Sequence, residues 1–147
     1  MCKGVGKMTL YHGTSNEYIK VLTSSHIDIH YGGGEFGQGF YTGNKVYLVS
    51  AWAWHKSKQN MAVISYKIDD STILDIKVKQ LNTNQAVSKR AEIRKCKMNR
   101  KLVFKDYDLV IGPVVGRPFA NYLQFVFVGT GGQNFINAQK AKQLWNE

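Results

Sequence analysis

The sequence predicts an α+β domain of short strands and short helices, and three observations carry that prediction. Short apolar, β-prone runs recur between turn residues. Segments with helical spacing lie among them, several opened by a capping residue. No internal repeat or linker interrupts the 147 residues, so residues 1–147 read as a single domain, long enough to bury its own core.

Taken in order, Met8-Thr9-Leu10-Tyr11-His12 reads as a short, partly alternating strand bounded by Gly13. Ser15 or Asn16 is placed to cap a short helix through Leu22. Residues 32–43 hold six of the fourteen glycines, a glycine-rich loop leading into the strand Gly39-Phe40-Tyr41-Thr42. Asn44 is placed to cap a helix from Val46 to Lys58. Strands are expected at Met61–Ile68 and Thr72–Ile76; the first alternates Val63, Ser65 and Lys67 against Ala62, Ile64, Tyr66 and Ile68. Asn82 to Met98 looks helical. Asp108-Leu109-Val110-Ile111 reads as a buried strand ending at Gly112-Pro113, and Leu123 to Val128 as another. Phe135 to Trp145 is expected to close the chain as a helix, with Phe135, Ala138, Ala141 and Trp145 at helical spacing.

Composition narrows the function classes. Hydrophobic residues make up 44% of the chain and aromatics 12%, which argues against disorder. No apolar run approaches the roughly 18 residues that span a bilayer. The basic start, Met1 to Lys7, has no apolar stretch behind it, so no signal peptide is expected, and Cys2 stands where myristoylation needs glycine. Cys2 and Cys96 make neither a metal-ligand spacing nor a disulfide framework. His26 and His30 lack a His-Glu-x-x-His pattern. These features predict a cytoplasmic protein with no metal and no membrane association. The formal net charge is +10. Residues 61–147 carry fourteen of the twenty Lys and Arg, so the field favours polyanions and is concentrated late in the chain.

Three segments carry candidate chemistry. Leu10-Tyr11-His12-Gly13-Thr14-Ser15 ends a strand with a histidine, which alone reads as well as a hydrogen-bonded structural residue. Gly37-Gln38-Gly39-Phe40-Tyr41-Thr42-Gly43 is followed by Ala51-Trp52-Ala53, alone a glycine-rich hairpin beside a core helix. Leu123-Gln124-Phe125-Val126-Phe127 sets an amide in an apolar strand, where it must find partners.

In this order the segments resemble the ADP-ribosyltransferase superfamily, specifically its small bacterial branch of toxin or phage-defence type. That branch has a Tyr-His-Gly-Thr/Ser strand, a Gly-x-Gly-Phe-Tyr-x-Thr strand and an Ala-x-x-Trp-Ala helix. It continues with an Asp-x-Val-Ile-Gly-Pro strand and a Gln-x-x-Phe strand. The second and third match only in part, because Thr42 directly follows Tyr41 and the helix lacks the earlier Ala. The resemblance implies a split mixed β-sheet core with short flanking helices. It implies cleavage of NAD, used as co-substrate, and transfer of ADP-ribose. His12 would bind an adenosine-ribose hydroxyl, and Gly13 would pair its backbone with the nicotinamide carboxamide. Tyr41 would stack on the nicotinamide ring and Tyr47 would face its other side. Gln124 would bind the nicotinamide ribose, with Tyr11, Thr14 and Phe40 beside these residues in the NAD site.

The chain also departs from the family. The polymerase branch has Glu where Gln124 stands, and Gln cannot serve as a general base, so single-unit transfer is expected. Glu35 in the glycine-rich loop is the candidate base. Both Gln and Glu accept from a hydroxyl, so Gln124→Glu is expected to keep or raise activity. The stretch after the fourth motif runs Val114-Val115-Gly116-Arg117-Pro118, with an Arg where the branch often has acids. Arg90, Arg94, Lys95, Lys97, Arg100, Lys101 and Arg117 are therefore candidate nucleic-acid contacts, although a basic helix can simply be solvated. Tyr31, Phe36, Trp52 and Trp54 are candidate stacking residues, with Trp52 the one expected in the core. RNA is favoured over DNA as acceptor, and a protein acceptor is the alternative. An antitoxin protein is a possible partner. Readings from other classes are a non-catalytic basic RNA-binding module and a small ribonuclease toxin. RNA 2′-phosphotransfer would want a cluster of Arg and His that the sequence lacks.

Overall fold

The computed structural model describes residues 7–145. The expectations for residues 1–6, Cys2 among them, lie outside the described residues. Among the described residues the architecture is a mixed α/β one: a seven-stranded mixed sheet with five α-helices. The strands are β1 (Lys7–Ser15), β2 (Phe40–Gly43), β3 (Met61–Asp69), β4 (Val78–Gln80), β5 (Leu109–Pro113), β6 (Leu123–Phe127) and β7 (Lys140–Trp145). The helices are α1 (Ile19–Thr23), α2 (Val46–Ser57), α3 (Asp70–Ile73), α4 (Thr83–Lys95) and α5 (Gly129–Asn137).

The strands run in the order β4-β5-β6-β2-β1-β3-β7. β4 and β5 are parallel, and every other neighbouring pair is antiparallel. The pairing is uneven. β1 runs along β3 over nine residues, from Lys7↔Asp69 to Ser15↔Met61. β1 and β2 register only at Tyr11↔Gly43 among the described residues. Continuing that register would set Gly13 opposite Tyr41, and the ladder does not continue. The sheet is thus two half-sheets, β7-β3-β1 and β2-β6-β5-β4, joined at one point.

Alternation along the strands sends side chains to two faces. One face buries Leu10, Phe40, Ile64, Tyr66, Ile68, Leu109, Phe125 and Phe127 against Ile27, Ile29 and Ile136. The other face is divided. Over one half-sheet, Ala53 of α2 packs on Met61 and Val63. Over the other, Phe36, Leu81, Ala86 and Phe104 pack on Val110 and Val126. The space between α2 and the glycine-rich loop stays open above β1, β2 and β6, and the candidate site lies there.

Several sequence expectations are corrected. Thr72–Ile76 is not a strand: the Asp69 carboxylate accepts from Ser71 N–H (3.1 Å) and caps the start of α3, and the strand forms later, at β4. Phe135–Trp145 is not one helix. The helix, α5, starts at Gly129 and ends at Asn137, and residues from Lys140 form the edge strand β7 on β3. Lys140 and Lys142 project from that edge into solvent, a usual defence of an exposed strand. Asn44 does not cap α2; its N-cap is Lys45, with no side-chain hydrogen bond. The strand expected at Met61–Ile68 does form, and because β3 is covered on both faces Val63 and Ser65 are as buried as Ile64 and Tyr66.

Candidate functional site

The open space is a cleft of about 410 Å³. Its lining includes Tyr11, His12 and Gly13 of β1, Phe40 to Gly43 of β2, and Gln124 of β6. Glu35 comes from the glycine-rich loop, Arg117 from the turn after β5, and Leu48, Val49 and Trp52 from α2. Tyr11, Gly43, Gln124 and Gly112 form one row across β1, β2, β6 and β5. Gln124 therefore stands between two glycines, and no neighbouring side chain in the row covers its amide. His12, Phe40 and Thr42 alternate to the opposite face, beside the gap left where the β1–β2 ladder stops.

His12 occupies that gap. Its ring stacks on Phe40 at 4.1 Å between centroids, and its Nδ1 lies 2.7 Å from the Tyr41 carbonyl. A carbonyl only accepts, so Nδ1 carries the proton and Nε2 is left as an acceptor. Burial lowers the His12 pKa from the usual 6.5 to about 4, against the opposing effect of the Tyr41 hydrogen bond. The ring is neutral at pH 7, which keeps Nε2 free to accept.

Tyr41 is held as firmly. Its hydroxyl donates to the Gly37 carbonyl and accepts from the Phe36 N–H at 2.9 Å. Burial raises its pKa well above the usual phenol range, the Glu35 carboxylate adds to the rise, and the Phe36 hydrogen bond opposes it. The phenol is therefore a neutral anchor for the loop. Its ring lies under Gly34, where a Cβ would come within 2.9 Å of the Tyr41 ring. Gly13 is needed for packing as well: a Cβ there would meet the Ala53 Cβ at 2.9 Å.

Gln124 is buried, and its Nε2 donates to Glu35 Oε1 at 3.0 Å and to the Pro113 carbonyl at 3.5 Å. Glu35 also accepts from the N–H groups of Val115 (2.8 Å) and Gly116 (2.7 Å). Arg90 Nε of α4 lies 3.5 Å from Glu35 Oε2. One carboxylate thus ties together the glycine-rich loop, the turn after β5, β6 and α4.

The structure brings His12, Tyr41, Gln124, Glu35, Tyr11, Gly13, Phe40 and Arg117 into one cleft. Of the NAD-site candidates, two fall outside its lining, and so do the stacking candidates Tyr31, Phe36 and Trp54. Tyr47 is 64% exposed on the first turn of α2, and Thr14 lies further along β1. One helical turn past Leu48, Trp52 lines the cleft and is exposed rather than core. Phe36 is fully buried in the core and cannot stack on a ligand. Phe119, Tyr122 and Lys45 line the mouth, and sequence reading gave them no signal.

The basic candidates separate. Arg90 is turned inward to Glu35. Arg94, Lys95, Lys97, Arg100 and Lys101 are exposed on the end of α4 and the turn beyond it. That turn is bound to the cleft wall: Gly34 N–H donates to Asn99 O (3.0 Å) and Gln38 N–H to Lys101 O (2.8 Å).

The family described as "Protein of unknown function (DUF3990)" matches residues 8–145. The chain belongs to this family. The match spans all seven strands but for the first residue of β1, and every residue of the cleft lies within it. No curated protein matches the chain.

Proposed function

We propose that this DUF3990 chain splits NAD and transfers a single ADP-ribose unit to a nucleic-acid acceptor, RNA before DNA. One observation carries the reading: His12, Tyr41 and Gln124, from three separate strands, converge with Gly13 on one cleft. Loss of nicotinamide builds positive charge on the ribose carbon, so the enzyme must hold both parts of the dinucleotide in line with the acceptor. The neutral His12 offers Nε2 to a ribose hydroxyl. The Tyr41 ring, fixed at its hydroxyl, offers an aromatic platform for nicotinamide, worth about 0.5–1.5 kcal/mol beyond burial. Gln124 offers an amide oxygen to the second ribose. The C–N bond breaks with its electron pair leaving on nicotinamide. The acceptor's nucleophile then bonds to the same carbon and gives up its proton.

The acceptor reading is supported by the exposed basic turn bound to the cleft wall and by Arg117 at the mouth. Phosphates would be held there by charge, with the reactive base directed past Trp52 or Tyr122. A small cytoplasmic transferase of this kind suits a toxin or phage-defence effector, neutralised by an antitoxin protein. The test is direct. The protein is incubated with NAD and with RNA, single-stranded DNA or protein, and nicotinamide release and label transfer are measured. Transfer to RNA that is lost in His12→Ala supports the reading. No nicotinamide release with any acceptor removes it, and transfer to protein alone removes the nucleic-acid part.

A further inference from the structure

The cleft is lined by one carboxylate, Glu35, and one buried amide, Gln124, and the two meet. A carboxylate in this setting only accepts, so the Gln124 atom facing it must be the –NH₂ group. The second contact of that nitrogen, the Pro113 carbonyl, is also an acceptor and gives the same orientation. Gln124 Oε1 is thereby turned away from Glu35, and it has no hydrogen-bond partner among the described residues. Glu35 in turn has its oxygens occupied. Oε1 accepts from Val115 N–H and from Gln124, and Oε2 accepts from Gly116 N–H and faces Arg90. A carboxylate so filled is poorly placed to take a proton from a ligand, yet well placed to hold a neighbour still.

We propose that Glu35 is the positioning residue of this site: it fixes the Gln124 amide so that Oε1 is presented to a ligand hydroxyl. The hydroxyl's identity as a ribose group rests on the NAD reading above, whereas the pairing does not. The same geometry explains why an amide stands on β6. Glu at position 124 would set a second carboxylate about 3 Å from Glu35 in a buried place, where the two cannot both ionise freely. On this proposal Gln124→Glu should lower activity, the opposite of the sequence-based expectation.

The experiment compares the full chain with Gln124→Glu, Glu35→Gln and the double variant, following thermal unfolding from about pH 5 to about pH 8. In Gln124→Glu one carboxyl keeps its proton above the usual range when folded. The folded state then binds more protons than the unfolded one, so stability is lost as pH rises. The variant should melt near wild type at about pH 5 and roughly 3–10 °C lower at about pH 8. In the Glu35→Gln background the same change should bring no such pH-dependent loss. Equal slopes in both backgrounds, or no slope in either, would overturn the pairing. A second readout does not require Gln124→Glu to fold. Glu35→Gln should lower kcat for nicotinamide release by roughly 10-fold or more with little change in KM for NAD, because orientation matters most at the reacting ribose. A raised KM with unchanged kcat would overturn the positioning role. If the wild type releases no nicotinamide, the NAD reading falls, and the unfolding comparison still decides the Glu35–Gln124 pairing.

Discussion

Tyr41→Phe separates two jobs that one side chain performs. The ring is the proposed platform, and the hydroxyl ties the glycine-rich loop to β2. Phe keeps the ring beneath Gly34 and removes only the oxygen. Two loop groups then lose their partner together: the Phe36 N–H, which donated at 2.9 Å, and the Gly37 carbonyl. Both residues are buried. An unsatisfied buried group costs about 1–3 kcal/mol. Water from the adjoining cleft can relieve part of this, so about 2–4 kcal/mol is expected in all. For a chain of this length, 1 kcal/mol moves Tm by about 2–4 °C, which gives a drop of roughly 5–15 °C.

Calorimetry at neutral pH measures that drop, and a urea titration should show a lower midpoint at unchanged m, since the surface exposed on unfolding is the same. Nicotinamide release, assayed well below both melting temperatures, should fall less in Tyr41→Phe than in Tyr41→Ala, because only the latter loses the ring. A Tm within about 1 °C of wild type would refute the reasoning, since it would mean that the hydroxyl carries no net load in the loop.

Other substitutions follow from the same geometry. His12→Ala and Gln124→Ala should each cut NAD-dependent transfer by roughly 10²-fold or more through lost positioning, and wild-type activity in both folded variants would unseat the site. Because the His12 pKa is lowered from 6.5 to about 4, the unfolded chain binds the extra proton between these values and stability falls as pH drops through them. The linkage amounts to about 3 kcal/mol, and acid titrations of wild type and His12→Gln should differ by that much. Gly34→Ala should displace the Tyr41 ring and depress activity, whereas Gly129→Ala, at positive φ but far from the cleft, should lower Tm alone; kinetics beside melting curves distinguish them. Neutralising Arg94, Lys95 and Lys97 together should raise KM for RNA and flatten its salt dependence by about one log–log unit per lost phosphate contact, with basal NAD hydrolysis unchanged. An unchanged salt slope would place the polyanion elsewhere.

Much of the fold was legible where local chemistry and tertiary demand agree. Asn82 and Gln85 form a reciprocal capping box (2.8 and 2.9 Å), so α4 begins where its sequence says it should. The apolar runs at β3, β5 and β6 are buried on both faces and could hardly be anything else. The misreadings have local causes. The apolar run after Asp70 reads as a strand by hydropathy, and the capping carboxylate of Asp69 makes its start a helical turn instead. The start of the last helix is set by packing, which apolar spacing does not reveal. A Cβ on Gly131 would lie 2.0 Å from Asp108 Oδ1, and one on Gly132 would lie 2.3 Å from Asp108 O, so only glycines let the first turn of α5 pack there. Ala141 then falls at helical spacing by chance and pairs with Tyr66 as a strand residue. The site residues were visible as types, but not their partners. Nothing local to Glu35 reveals that Gln124 is its neighbour across 89 positions, nor that Arg90 turns inward.

The cleft exists because the sheet fails to close between β1 and β2, and the same failure makes its residues structural. Past Tyr11↔Gly43 the ladder would have paired Tyr41 with Gly13. Two substitutions of function for regular structure replace it. His12 supplies a side-chain donor to the Tyr41 carbonyl, and Gly13 lets α2 approach β1 closely enough to wall the opening. On the other side Tyr41 and Glu35 pin the glycine-rich loop and the turn after β5, neither of which has a ladder of its own. The polar groups that a ligand would meet are thus groups that also hold the walls of the cleft together. Their substitution should therefore move stability and activity together. The informative variant is the one that splits the two, as Tyr41→Phe does: it removes one atom of the anchor and leaves the shape of the cleft in place.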